Sequence, residues 1–162
     1  MDKASIGARW HVRKGAIVVA AMAAMLALFS APAFAQLING TALVDTLTGT
    51  EGADTIYGKG GDDIVSGLGS GDRLNGQDGN DTLNGDDGTD QLYGQNDNDK
   101  LYGGNGDDRL AGHDGDDLLV GEGGRTDEFY GGRGFDTCVV DGPEHAKGHN
   151  LASCEVVTNK LP

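Results

Sequence analysis

Apolar residues follow two regimes along the chain. Residues 16–29, AIVVAAMAAMLALF, form one unbroken apolar run of fourteen. From residue 47 the pattern changes, and one apolar residue recurs every nine: Leu47, Ile56, Val65, Leu74, Leu83, Leu92, Leu101, Leu110 and Leu119. Phe129 and Cys138 continue the column after one inserted residue. A helix needs apolar positions three and four apart, and a longer half-buried strand needs strict alternation. Neither occurs here. Each apolar residue with its two neighbours reads as a short strand carrying one inward side chain. The six residues between read as a turn. The chain is thus predicted to be all-β, with a core one side chain thick. A single unit of this kind cannot bury its own apolar face, so units must stack.

Two further columns share the period of nine. Glycine starts each unit at Gly40, Gly49, Gly58, Gly67, Gly76, Gly85, Gly94, Gly103, Gly112, Gly121 and Gly131. Taking these as position 1, position 6 is aspartate in every unit: Asp45, Asp54, Asp63, Asp72, Asp81, Asp90, Asp99, Asp108, Asp117, Asp127 and Asp136. Position 4 is glycine except at Leu43, Ser70 and Asp97. Glycine suits turns that need positive φ or close backbone approach. Aspartate also visits the left-handed region, so Asp97 is tolerable there, whereas Ser70 is expected to weaken its turn.

These columns make up the pattern G-G-x-G-x-D-x-U-x, which Gly103–Ala111 meets at every fixed position. The chain resembles the hemolysin-type (RTX) calcium-binding nonapeptide-repeat family from Gly40 to about Val139; the pattern itself is a known signature of a parallel β-roll. The resemblance implies a right-handed parallel β-roll, or β-solenoid, with two nonapeptides per coil. Aspartates eighteen residues apart would then stack, Asp63, Asp81, Asp99 and Asp117 on one edge and Asp54, Asp72, Asp90 and Asp108 on the other. Unscreened carboxylates about 4.8 Å apart repel, and a cation between coils reverses that sign. Oxygen-only donors favour calcium over magnesium, which demands a stricter octahedron, and over metals that prefer sulfur or nitrogen. The metal ligands are therefore expected to be those eight aspartates. Secondary ligand candidates are Asp127 and Asp136, and the side chains at positions 3 and 5: Asp78, Asn80, Asp87, Asn105, Asp107, Asp114 and Asp116. Two stacks of four turns have three gaps each, which predicts about six calcium ions.

Composition sharpens this picture. The chain has 162 residues, 29 of them Gly, and 26 Asp+Glu against 12 Lys+Arg, a net charge of −14. Glycine is more than twice its average usage of ~7 %. Such acidity disfavours nucleic acid and anionic membranes as partners. Lys3, Arg9, Arg13 and Lys14 precede the apolar run, and Ala33 and Ala35 follow it as an A-x-A site. Residues 1–35 thus read as a secretory signal peptide. Fourteen apolar residues fall short of the ~20 needed to span a membrane, so no membrane span is expected after cleavage. Removal of residues 1–35 takes four bases and one acid, leaving 127 residues with 8 Lys+Arg and 25 Asp+Glu, or −17. A chain so charged and so poor in large apolar residues sits at the edge of disorder. It is expected to fold only when calcium is bound.

The predicted organisation is a leader (1–35), an N-terminal segment with a degenerate first repeat (36–48), the repeat array (49–139) and a C-terminal cap (140–162). Leu151–Val157 is expected to add a final strand. Behind a secretory signal, Cys138 and Cys154 are expected to form a disulfide. His145 and His149 are four apart, but Pro and Gly nearby favour a plain surface loop over a zinc pair. No G-x-S-x-G, phosphate-loop or EF-hand pattern is present, and too few residues flank the array to hold a catalytic domain. The expected function is a secreted, non-enzymatic, monomeric calcium-binding protein. The alternative is an extracellular adhesion or matrix protein with a cell-surface or polysaccharide partner. Tyr57, Tyr93 and Tyr102 share outward position 9, which reads first as edge packing. Outward position 7 lacks the regular Thr ladder that ice binding would need.

Overall fold

A computed structural model describes residues 34–124, 126–141 and 150–160. The predicted leader up to residue 33 and the His145–His149 pair lie outside the described residues. Among the described residues there is no helix, and none long and apolar enough to cross a membrane. Fourteen strands alternate between two seven-stranded parallel sheets. The first sheet holds β1 (Leu37–Asn39), β3 (Thr55–Gly60), β5 (Arg73–Asp78), β7 (Gln91–Asn96), β9 (Arg109–Asp114), β11 (Glu128–Arg133) and β13 (Asn150–Ala152). The second holds β2 (Thr46–Thr48), β4 (Ile64–Ser66), β6 (Thr82–Asp87), β8 (Lys100–Asn105), β10 (Leu118–Gly123), β12 (Thr137–Asp141) and β14 (Val156–Lys160). This is the β-roll implied by the resemblance, with two nonapeptides per coil.

The register follows from the repeat. Leu74 pairs with Leu92, and Leu92 with Leu110, each eighteen residues on. Past the inserted residue the offset becomes nineteen, Leu110 opposite Phe129 and Leu119 opposite Cys138. The turn absorbs the insertion, and the ladder continues. The apolar column from Leu47 to Cys138 forms the core, joined by Val140, and from Ile56 onward every member of that column is fully buried.

Most strands are longer than the three residues predicted. In β5 to β11 each runs six residues, from position 7 through position 3 of the next unit. Position 1 is inward and buried as well as position 8, so the turn shrinks to positions 4–6. The reason is that position 1 carries no side chain, so the pleat continues inward without displacing anything. β4 is an exception and stops at Ser66. It precedes the Gly67–Gly71 turn, where Ser70 occupies the glycine position with φ 69°. Asp97, another of the three replacements, takes φ 73°, as its chemistry allows.

The C-terminus also departs from expectation. The single strand predicted over Leu151–Val157 is two short strands, β13 and β14, one on each sheet. They pair with β11 and β12 and so extend both sheets by one strand. A turn at Ser153 (φ 64°) separates them. The Cys138–Cys154 disulfide is present, with Cα atoms 5.9 Å apart, and ties this last coil to the core column.

With one inward side chain per unit, each leucine is packed by neighbours above, below and opposite. Leu92→Ala should therefore cost about 2–5 kcal/mol, and Gln91→Ala, on the outer face, within about 0.5 kcal/mol of zero. Denaturant unfolding in calcium measures both. Equal effects would contradict the single-column core.

Candidate metal centre

The aspartates of position 6 do not project from the edges of the roll. Asp45, Asp54, Asp63, Asp72, Asp81, Asp90, Asp99, Asp108, Asp117, Asp127 and Asp136 are all buried, none more than 7 % exposed. From Asp54 onward one carboxylate oxygen of each accepts a backbone N–H from the coil before it. On one edge Asp45 donates to Asp63 Oδ1 at 2.7 Å, Asp63 to Asp81 and Asp81 to Asp99 at 2.8 Å, and Asp99 to Asp117 at 2.8 Å. On the other, Asp54 donates to Asp72 and Asp72 to Asp90 at 2.7 Å, and Asp90 to Asp108 at 2.8 Å. Asp127 and Asp136 continue the two ladders at 3.0 and 3.1 Å. The stacking inferred from the eighteen-residue offset is thus present, but inside the roll.

The second oxygen explains the glycine column. A methyl group placed on Gly76 or Gly94 would overlap Oδ2 of Asp81 or Asp99, five residues on. At Gly58, Gly67, Gly103 and Gly112 the same space is bounded by Oδ2 and by the carbonyl oxygen of the glycine on the next coil. Position 1 is glycine because a buried carboxylate occupies the place of its side chain. Positive φ is found instead at position 4 and at position 2, where every unit from Lys59 to Gly132 has values of 66–119°.

The first two turns differ. Thr41 and Thr50, at position 2, are not in the left-handed region. Their N–H groups donate to Asp45 Oδ2 at 2.6 Å and to Asp54 Oδ2 at 2.5 Å. Their hydroxyls reach the same oxygens at 2.9 and 3.0 Å. From Asp63 onward this closure is lost. Oδ2 of Asp63, Asp72, Asp81, Asp90, Asp99, Asp108, Asp117 and Asp136 is buried without a hydrogen-bond partner. Of the eight aspartates expected to bind metal, seven share this state, and Asp54 stands apart because Thr50 satisfies it.

A carboxylate oxygen buried in this way is costly. Burial, above all, pushes these groups up, against the backbone N–H that each accepts. Asp99 is raised to about 8, with the charges of Asp81, Asp117 and Asp97 adding to burial. Asp81 and Asp108 are raised to about 7, and Asp72, Asp90 and Asp117 to about 6. A hard divalent cation removes the same penalty by supplying charge to the oxygen. Among the described residues no three carboxylates, imidazoles or thiols converge on one point. Such a cation would therefore need backbone carbonyls beside single aspartates.

The side chains of positions 3 and 5 are elsewhere. Asp78, Asn80, Asp87, Asn105, Asp107, Asp114 and Asp116 are exposed. Several knit coils together from outside. Asn80 N–H donates to Asp62 Oδ1, Asn98 N–H to Asn80 Oδ1 and Asp116 N–H to Asn98 Oδ1, at 2.6–3.2 Å. Asn96 donates to Asp78 and Asn105 to Asp87, and Asp114 pairs with Arg133 at 3.3 Å. On the other edge, Thr126 N–H donates to Asp107 at 3.0 Å. Glu155 is a column member that the nonapeptide pattern misses. Its Oε2 accepts the Asp136 N–H at 2.7 Å. It lies nineteen residues after Asp136, the offset that already separates Asp117 from Asp136.

Parallel coils, glycines opened by buried carboxylates and columns of oxygen-only donors define a cation-binding β-solenoid. The RTX calcium-binding nonapeptide repeat matches the chain in four copies, over residues 39–69, 66–101, 93–125 and 102–138. The chain belongs to this family and is a calcium-binding β-roll protein. No curated protein and no solved structure matches it.

The raised carboxylates fix a pH dependence for the metal-free chain. The folded state holds protons that the unfolded chain, near pKa 3.9, releases. Their stabilising contribution is therefore complete below about pH 4 and lost as pH rises through 6 to 8. Circular dichroism in chelator should show most β-structure near pH 4 and least near pH 8. A signal that increases from pH 4 to pH 8 would reverse the sign and refute the assignment.

Proposed function

We propose that this is a secreted protein without catalytic activity of its own, folded by calcium held at the position-6 aspartates. The observation that carries this is the run of buried carboxylates whose second oxygen lacks a partner, from Asp63 to Asp117. Asp63, Asp72, Asp81, Asp90, Asp99, Asp108 and Asp117 are assigned as the principal ligands. Asp136 joins them on the same ground. Asp54 and Asp127 are secondary, Asp54 because Thr50 already satisfies it. Side chains at positions 3 and 5 act from outside by bracing the coils. About six ions are expected, and the repeat array 49–139 is the unit they fold, flanked by residues 36–48 and 140–162.

Electrostatics supports the coupling. At neutral pH the metal-free roll must either bury unpaired carboxylates or leave them protonated well above their ordinary range. Binding free energy for the ion then becomes folding free energy. Extracellular modules bind calcium at ~10⁻⁴–10⁻³ M. Such affinity leaves the chain unfolded before export and folds it outside. Residues 1–35 supply the secretory leader in this reading, and the Cys138–Cys154 disulfide suits an oxidising compartment. A second reading, an extracellular surface or matrix protein built on the roll, is favoured by Lys59, Arg73 and Arg109, all on strands of the first sheet.

At pH 7.5 calcium should convert a disordered circular dichroism spectrum into a β-rich one, and chelator should reverse it. Equilibrium dialysis should find about six ions. Asp99→Asn should raise the calcium midpoint several-fold, and Asp45→Asn should change it little, since Thr41 closes that turn. A spectrum indifferent to chelator at this pH would sink the proposal.

A further inference from the structure

Positions 7, 9 and 2 of each unit face outward, and they differ between the two sheets. On the first sheet, from β3 to β11, these positions carry Lys59, Arg73 and Arg109. The one acid there is Glu128, which accepts the Tyr130 hydroxyl at 3.2 Å. On the second sheet, from β4 to β10, they carry Lys100 with Asp86 and Glu122. At these positions the first sheet thus carries three cations and one acid, and the second one cation and two acids.

That face also carries an aromatic ladder. Tyr57, Tyr93 and Tyr130 occupy position 9 on β3, β7 and β11. Between them stand Asn75 and Ala111, each only 6 % exposed although outward-facing. Arg73 sits 5.1 Å from the Tyr93 ring centre and Arg109 4.8 Å from that of Tyr130. The arginine–tyrosine unit thus repeats every second coil, at about 9–10 Å. This is close to the length of an extended disaccharide.

We propose that the outer face of the first sheet binds a linear anionic polysaccharide with about one acidic group per disaccharide. Arg73 and Arg109 pair with the acidic groups, and the outer edges of the tyrosine rings, whose faces are taken by Arg73 and His113 at Tyr93 and by Arg109 at Tyr130, contact the sugars. Gln91 and Gln95, beside Tyr93, offer amides to the hydroxyls. Charge complementarity fixes the choice. Double-stranded DNA carries one charge per ~1.7 Å and a single strand about one per 3.4 Å, denser than three cations on a strongly acidic chain can match. A sparse polyanion meets the cations without bringing its charge against the acidic edges. The inference rests on the calcium-folded roll proposed above.

Hyaluronan oligosaccharides, with one carboxylate per disaccharide, serve as the probe. They are titrated calorimetrically into the calcium-loaded chain, beside neutral dextran and a single-stranded oligonucleotide. Binding of hyaluronan should exceed that of both others at least tenfold. The Arg73→Gln/Arg109→Gln double variant and Tyr93→Ser should each weaken it at least tenfold. Circular dichroism on the same samples separates the two ideas. A β-rich chain that does not bind hyaluronan, or binds it equally after the arginine changes, or binds the oligonucleotide as tightly, overturns the polysaccharide face. Absence of β-structure in calcium overturns the calcium reading, and this one with it.

Discussion

Everything in this roll depends on placing one carboxylate per nonapeptide inside a core one apolar side chain thick. The aspartate at position 6 turns inward, and one of its oxygens accepts the backbone N–H of the aspartate one coil back. That bond sets the vertical register of every turn. The other oxygen fills the space at position 1, which therefore excludes any side chain. Apolar burial supplies about 1.5–3 kcal/mol for each leucine-sized residue, with only one such residue per unit. An unsatisfied buried carboxylate works against a gain of similar size. The coils and the groups that neutralise those carboxylates are therefore one energetic problem.

The start of the roll solves it without an ion. An inner coil has a neighbour on both sides, whereas an end coil has one. At the start, Thr41 and Thr50 turn their N–H and hydroxyl groups onto the carboxylates of their own turns. At the finish, Glu155 takes the N–H that an aspartate would otherwise receive, but Asp136 Oδ2 stays without a partner, as in the inner coils. The disulfide then fixes the last coil to Cys138 in the core column. Between these ends the position-2 residue moves into the left-handed region, its N–H no longer serves the carboxylate, and the oxygen is open to a cation.

The period of nine made the fold legible from residues alone. Three columns fixed which residues are inward, which shape turns and which stack, and stacking at offset eighteen is what the hydrogen bonds show. Legibility failed where a position has more than one duty. Glycine at position 1 reads as a turn former, yet it extends the strand and makes room for a carboxylate. That room depends on a contact five residues away, which no local propensity reports. Thr41 and Thr50 read as ordinary variation at a free position. Their role lies in a hydroxyl pointing at Asp45 or Asp54, visible only once the carboxylate is known to be inside. Glu155 was hidden because it keeps the coil offset but breaks the nonapeptide spelling.

A repeat of nine in sequence is a repeat of eighteen in space, and this doubling gives the molecule two unlike faces. Fixed columns are shared by all units, so they build the interior and cannot tell one sheet from the other. The variable positions 7, 9 and 2 are free to differ between odd and even units. Here they place Arg73, Arg109 and three tyrosines on one sheet, and on the other Asp86 and Glu122 with small polar or apolar residues, Lys100 and Tyr102 standing together on β8. Because strands of a sheet are two units apart in sequence, an alternation every fourth unit becomes an alternation of every second strand. Tyr57, Tyr93 and Tyr130 with Asn75 and Ala111 between them follow that rule. The pattern needs no extra stability from the core, since it lies outside the three fixed columns. Surface chemistry can therefore vary on this scaffold while the carboxylate ladder beneath it stays the same.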